Sequence, residues 1–139
     1  MNLHTIILAA GKGTRMHTNL PKVMQPLAGR PMIDHVITTA GTLTNKISTI
    51  IGYKKDVLNK HLSANFKNVV TFVQPELNGT AGAVKAAQKN IMNDEDVLIL
   101  YGDVPLISHE TLKNALNDNH DAVISVSYTH LRAHETSDY

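Results

Sequence analysis

Thr5-Ile6-Ile7-Leu8-Ala9-Ala10 is apolar at nearly every position and runs straight into Gly11-Lys12-Gly13-Thr14-Arg15. A strand open to water on one face alternates apolar and polar residues; one covered on both faces does not. The run therefore reads as a central parallel strand, and the glycines after it as the turn leading out of its carboxyl end. Ligands of open α/β sheets bind beyond the carboxyl ends of the strands.

Working outward, Pro31 opens a helical pattern with Met32, Ile33, Val36, Ile37, Ala40 and Leu43 on one face. Proline suits the first position of a helix, where its missing N–H would have no partner. Ile47 to Ile51 reads as a second strand, followed by a short amphipathic helix through Val57, Leu58, His61 and Leu62. Val69 to Val73 reads as a third strand, ending at Gln74-Pro75. A helix is expected from Gly79-Thr80 with Val84, Ala87 and Ile91 inward. Asp96 to Tyr101 gives a fourth strand, and Ser108 caps a helix carrying Leu112, Ala115 and Leu116. Ala122 to Val126 gives a fifth. Strands alternating with helices in this way imply βαβ units and a doubly wound, mostly parallel α/β sheet.

Ser127 to Tyr139 shows no sustained periodicity, and the pattern breaks within a strand rather than at a turn. We expect a domain over residues 1–126 and a disordered or foreign tail over 127–139. His130, His134 and Glu135 have metal-like spacing but fall in that tail, and we read them as incidental.

At 139 residues the chain is long enough for one hydrophobic core. A net charge of +1, with no dense basic block, gives no signature of a nucleic-acid partner. The apolar run Ile6 to Ala10 is too short for a membrane span or a signal segment. The absence of cysteine excludes disulfides and thiolate metal sites, and fits a cytoplasmic protein.

Gly11 and Gly13 let the backbone approach an anion, and Lys12, Arg15 and Lys22 bring positive charge to the same region. A dinucleotide fingerprint would need Gly or Ala in place of Met16, and the pattern G-x-x-x-x-G-K-[ST] is absent. On glycine spacing alone the loop is equally well a plain βα turn. Tyr101-Gly102-Asp103 places a carboxylate just past a strand, as a hard cation bridging phosphates requires; a turn or helix-capping aspartate is the alternative.

The longer strings are more specific. Leu8 to Arg15, then Leu20-Pro21-Lys22, then Pro26-Leu27-Ala28-Gly29-Arg30-Pro31-Met32, closely resemble the signature of the sugar nucleotidyltransferase superfamily. Tyr101-Gly102-Asp103-Val104-Pro105-Leu106 resembles its N-acetylglucosamine-1-phosphate uridylyltransferase branch. By contrast, Gly79-Thr80-Ala81-Gly82-Ala83 looks like some mannose- and glucose-phosphate members.

The resemblance spans residues 3 to about 126. It implies transfer of a uridylyl group from UTP to a sugar-1-phosphate, with Mg²⁺ held by Asp103. Arg15 and Lys22 are implied to act on phosphates as the catalytic cations. Leu8, Ala9, Ala10, Gly11, Gly13, Thr14, Lys22, Gln74, Gly79, Thr80, Tyr101, Gly102 and Asp103 are implied to line the substrate site. Gln74, Gly79 and Thr80 match positions that hold base and ribose, and an amide suits the imide edge of uracil. The family's second metal ligand, an asparagine, and most sugar contacts correspond to positions past this chain's last residue. We therefore expect a monomeric fragment with little turnover of its own. A non-catalytic nucleotide-binding module is the rival reading.

Overall fold

Strand β1, Leu3–Ala9, is buried at every position and lies at the centre of a five-stranded sheet. In the computed structural model, residues 3–10, 21–52, 55–74, 96–104, 107–116 and 122–125 are described, together with Gly82 and Lys85. The expected helix over Val84, Ala87 and Ile91, and the tail, lie outside the described residues.

After β1 comes a small antiparallel hairpin that the sequence does not announce, β2 (Pro26–Leu27) and β3 (Arg30–Pro31). Its two turn residues both have positive φ, +52° at Ala28 and +81° at Gly29. Four further strands complete the main sheet: β4 (Lys46–Ile51), β5 (Val69–Val73), β6 (Asp96–Tyr101) and β7 (Ala122–Ser125). Their order is β5-β4-β1-β6-β7, and every pairing is parallel. The chain steps outward from β1 in one direction through β4 and β5. It then returns to the other side of β1 for β6 and β7. That reversal is the topological switch point, where a doubly wound sheet opens a crevice at its carboxyl edge.

Helix α1 is Met32–Gly41, α2 is Lys55–Asn65 and α3 is His109–Leu116. Pro31 is the N-cap of α1, so the helix begins at Met32, one residue later than the sequence suggests. Ile33, Val36, Ile37 and Ala40 are buried with Leu3, Ile7, Ala9, Ile47, Ile51, Leu98 and Leu100, joined by Leu58 and Leu62 of α2. Each large aliphatic side chain sequestered this way contributes roughly 1.5–3 kcal/mol. On the opposite face Ile6, Leu8, Ala10, Ile50 and Ile99 form a second cluster, with Phe72, Val97 and Tyr101 against it. Both faces of β1 are thus covered, which is why its sequence does not alternate. Ser108 caps α3 as expected: its Oγ accepts from the backbone N–H of Thr111 at 3.1 Å.

The inner face of α2 differs from the sequence expectation at one position. Val57 is 41% exposed rather than turned to the core. Leu58 and Leu62 hold that face, and Phe66 just beyond the helix packs against the core.

Candidate functional site

The carboxyl ends of β1, β4 and β6 are level, because Leu8 pairs with Tyr101 and Ala9 with Ile51. Beyond that edge the backbone keeps its register for one more step. Gly102 N–H donates to the Leu8 carbonyl at 2.9 Å, and Gln74 N–H donates to the Ile51 carbonyl at 2.8 Å. Leu8, Ala9, Ala10, Gln74, Tyr101, Gly102 and Asp103 therefore gather along one edge of the sheet. Arg15, Gly11, Gly13, Thr14, Gly79 and Thr80 lie outside the described residues.

Lys22 reaches the same edge from a different element. It begins a 3-10 turn, Lys22–Met24, whose Val23 is buried. A Cβ built on Gly102 would stand 3.0 Å from Val23 Cγ1 and 3.2 Å from the Leu8 carbonyl oxygen. Glycine at 102 thus allows the turn to seat directly over the exit of β6. Val23 is the positioning residue that sequence reading missed. A single valine outside any periodic pattern gives no signal, and its contact lies far along the chain.

The turn is anchored a second time. Met24 N–H donates to Pro21 O at 2.9 Å, Gln25 N–H to Lys22 O at 3.0 Å, and Met32 N–H to Gln25 O at 3.0 Å. His35 Nε2 donates to the Leu27 carbonyl at 2.7 Å, fastening the β2–β3 hairpin to α1. From this base the Lys22 Nζ lies 3.3 Å from Asp103 Oδ2, with side-chain exposures of 46% and 31%. Two of the residues expected to handle charged groups are therefore in direct contact.

Gln74 is buried, at 6% exposure, just past the end of β5. Its backbone carbonyl oxygen would stand 3.5 Å from a Cβ on Gly52, which would also meet Ala10 Cβ at 3.3 Å. Gly52 thereby leaves the ends of β1 and β5 close together. Tyr101 is half-buried against the cluster containing Leu8.

The donor set suits a hard cation shared with phosphates. Mg²⁺ is typically bound by one or two carboxylates while phosphate oxygens and waters complete the octahedron. Asp103 provides one such carboxylate, partly exposed and beside the close approach at Gly102. Among the described residues no cluster of three or more His, Asp or Glu forms a self-sufficient metal cage. Among the described residues, too, no helix is long and apolar enough to cross a membrane.

Known proteins resemble this arrangement in sequence and in shape. Over 117 residues the chain is 48% identical to the bifunctional protein GlmU of Thermotoga maritima, a match that covers 84% of the chain and 26% of that relative. The GlmU of Thermotoga petrophila is 46% identical over the same length. The chain thus spans about a quarter of the length of these relatives. Among solved structures, Rv0371c from Mycobacterium tuberculosis superposes with a TM-score of 0.69 at 18% identity, covering 84% of this chain and 60% of that one. A nucleotidyl transferase from Methanothermobacter gives 0.67 at 19% identity, covering 81% and 55%. These likenesses show a shared fold. The model of the MobA-like NTP transferase domain matches residues 5–135, and the chain belongs to that family.

Proposed function

We propose that this chain carries the nucleotide side of a uridylyltransferase site, which transfers a uridylyl group from UTP to N-acetylglucosamine-1-phosphate. The observation that carries the reading is the Lys22–Asp103 pair at 3.3 Å, set at the carboxyl edge beside the switch point. A cation and a carboxylate held together there form a mixed-charge site. A metal-bound triphosphate would suit such a site, with Lys22 holding phosphate oxygens and Asp103 holding the metal. Identity to GlmU proteins supports the choice of branch.

In the reaction a phosphate oxygen of the sugar-1-phosphate attacks the α-phosphorus of UTP. The bond from that phosphorus to the α–β bridging oxygen breaks, and pyrophosphate leaves with the bond's electrons. No covalent bond to the protein forms. Asp103 would hold Mg²⁺, whose chemistry is to neutralise charge on the phosphate oxygens. Lys22 holds a phosphate oxygen, and the backbone between Leu8 and Ala10 sets how closely the triphosphate approaches β1. Catalysis on this plan is positioning together with preorganised charge. Arg15 is assigned a second phosphate contact on the strength of the motif alone.

Calorimetry on the full chain tests this reading. UTP with Mg²⁺ should bind more tightly than N-acetylglucosamine-1-phosphate, and Asp103→Asn should weaken the nucleotide about tenfold or more. Sugar-phosphate binding without nucleotide binding would overturn it.

A further inference from the structure

We propose that Lys22 is a resident counter-ion of Asp103, so that a divalent cation gains the carboxylate only when a nucleoside triphosphate draws the ammonium away. The inference rests on the nucleotide-site reading above and adds an order to it: cation and nucleotide enter together, and the cation alone is held off.

Lys22 Nζ sits 3.3 Å from Asp103 Oδ2, close enough to compete with a cation for that carboxylate. Among the described residues neither group has a second ion-pair partner. The backbone beneath Lys22 is fixed, because Val23 is buried and packs at Gly102, the residue before Asp103. The side chain is not fixed in the same way. It is 46% exposed, and a lysine stem has four rotatable bonds and a head that hydrogen-bonds in many directions. The ammonium can therefore swing to a new acceptor while the turn stays seated.

Charge acts in the same direction as geometry. An ammonium and a doubly charged ion at one carboxylate repel each other, and Mg²⁺ gives up its waters reluctantly. A carboxylate already neutralised by lysine is a poor site for the free ion. A triphosphate reverses this balance. Its oxygens are stronger acceptors for the ammonium than one carboxylate, and the metal arrives already bound to them. The positive charge that shields Asp103 then serves as a phosphate contact.

The experiment uses Mn²⁺ as the probe, with free and bound ion read by electron paramagnetic resonance, on the full chain and its Lys22→Gln, Lys22→Arg and Lys22→Gln/Asp103→Asn variants. Removing a unit charge a few ångströms from a divalent ion in water-like surroundings is worth about tenfold in affinity. Lys22→Gln should therefore bind Mn²⁺ alone about tenfold more tightly than the natural chain. Lys22→Arg should behave like the natural chain, and the double variant should lose the gain. With UTP present the advantage of Lys22→Gln should shrink or reverse. Equal Mn²⁺ affinity in the natural chain and Lys22→Gln would overturn the proposal, as would a gain that survives Asp103→Asn. If UTP fails to raise Mn²⁺ affinity in the natural chain, the nucleotide-site reading itself falls. If UTP raises it while Lys22→Gln matches the natural chain without UTP, only the counter-ion role falls.

Discussion

The backbone N–H of Gly102 donates to the carbonyl of Leu8 at 2.9 Å, which carries the β1–β6 ladder one residue past the end of β6. That bond fixes where the chain turns, and so where Asp103 begins. The same glycine faces Val23 Cγ1 and the Leu8 oxygen at distances a Cβ would make too short, 3.0 and 3.2 Å. The oxygen belongs to the central strand and cannot move aside cheaply. Gly102→Ala should therefore push the 3-10 turn off the edge, destabilising the fold by about 1–3 kcal/mol. Urea denaturation measures the loss. It should come with weaker binding of Mg²⁺-loaded UTP, because Lys22 moves with the turn. An alanine variant of natural stability would show that Val23 has room to retreat.

Adjacent positions of the β2–β3 hairpin should respond with opposite sign. Ala28 has φ +52°, a left-handed conformation that costs an ordinary residue roughly 1–2 kcal/mol. Asparagine tolerates that region, and Asn-Gly is the favoured pair for a two-residue hairpin turn. Ala28→Asn should stabilise the chain by about 0.5–1 kcal/mol. Gly29, at φ +81°, has open space where a Cβ would stand, with nothing within 4 Å. Gly29→Ala should still destabilise by about 1 kcal/mol, since the strain lies in the backbone and not in any clash. Thermal melts of the two variants should shift in opposite directions.

Asp34 is 6% exposed on α1, and its Oδ1 accepts from His61 Nε2 of α2 at 2.5 Å. His61 is held in turn by Asn65, whose Nδ2 donates to the His61 carbonyl at 2.8 Å. Arg30 stands farther off, 3.9 Å from Asp34 Oδ2 and largely exposed. Removing one member of a buried pair leaves the other unsatisfied, so Asp34→Ala should cost about 2–4 kcal/mol. Arg30→Ala should change stability by no more than about 0.5 kcal/mol. A double-mutant cycle between Asp34 and His61 should give a coupling of about 1–3 kcal/mol. A coupling near zero would mean that α1 and α2 are held together by their aliphatic contacts alone.

The legible and the hidden parts of this fold differ for physical reasons. Strands β1 and β6 announce themselves because burial on both faces leaves nearly continuous apolar runs, whereas β4 carries the buried polar pair Ser48 and Thr49 between Ile47 and Ile50. The true start of β1, at Leu3, is masked by His4, a polar residue that is buried because its Nε2 and Ser48 Oγ share a hydrogen bond of 2.7 Å. Asp34 is hidden likewise, because its partner His61 lies on another helix. The hairpin escapes notice since each strand has two residues, both contain proline, and alanine stands where asparagine or glycine would be the signal. At the site, Lys22 and Asp103 are legible as parts of long motifs. Their contact is not, because it depends on Val23 meeting Gly102 across the sheet edge.

We propose that Gln74 selects the base, and its placement narrows what the residue can do. Its backbone N–H is committed to Ile51 O at 2.8 Å, so an N–H donor to a base would have to come from its side chain. At 6% exposure that side chain is withdrawn from bulk water, where a hydrogen bond made or missed counts for more than on the surface. A side-chain amide presents one donor and one acceptor group, which matches the imide edge of uracil. The six-membered edge of guanine or adenine offers a different pattern. UTP should therefore outcompete GTP and ATP for the chain. Each base contact of this kind is worth roughly 1–3 kcal/mol, by analogy with base readout in nucleic acids. Gln74→Ala should narrow the gap between UTP and the purine nucleotides by about fivefold to a hundredfold, chiefly by weakening UTP. Competition calorimetry against UTP with Mg²⁺ measures it directly. Equal affinities for all nucleotides in the natural chain would mean the pocket reads shape only, and a preference for GTP would move the substrate assignment away from uridylyl transfer.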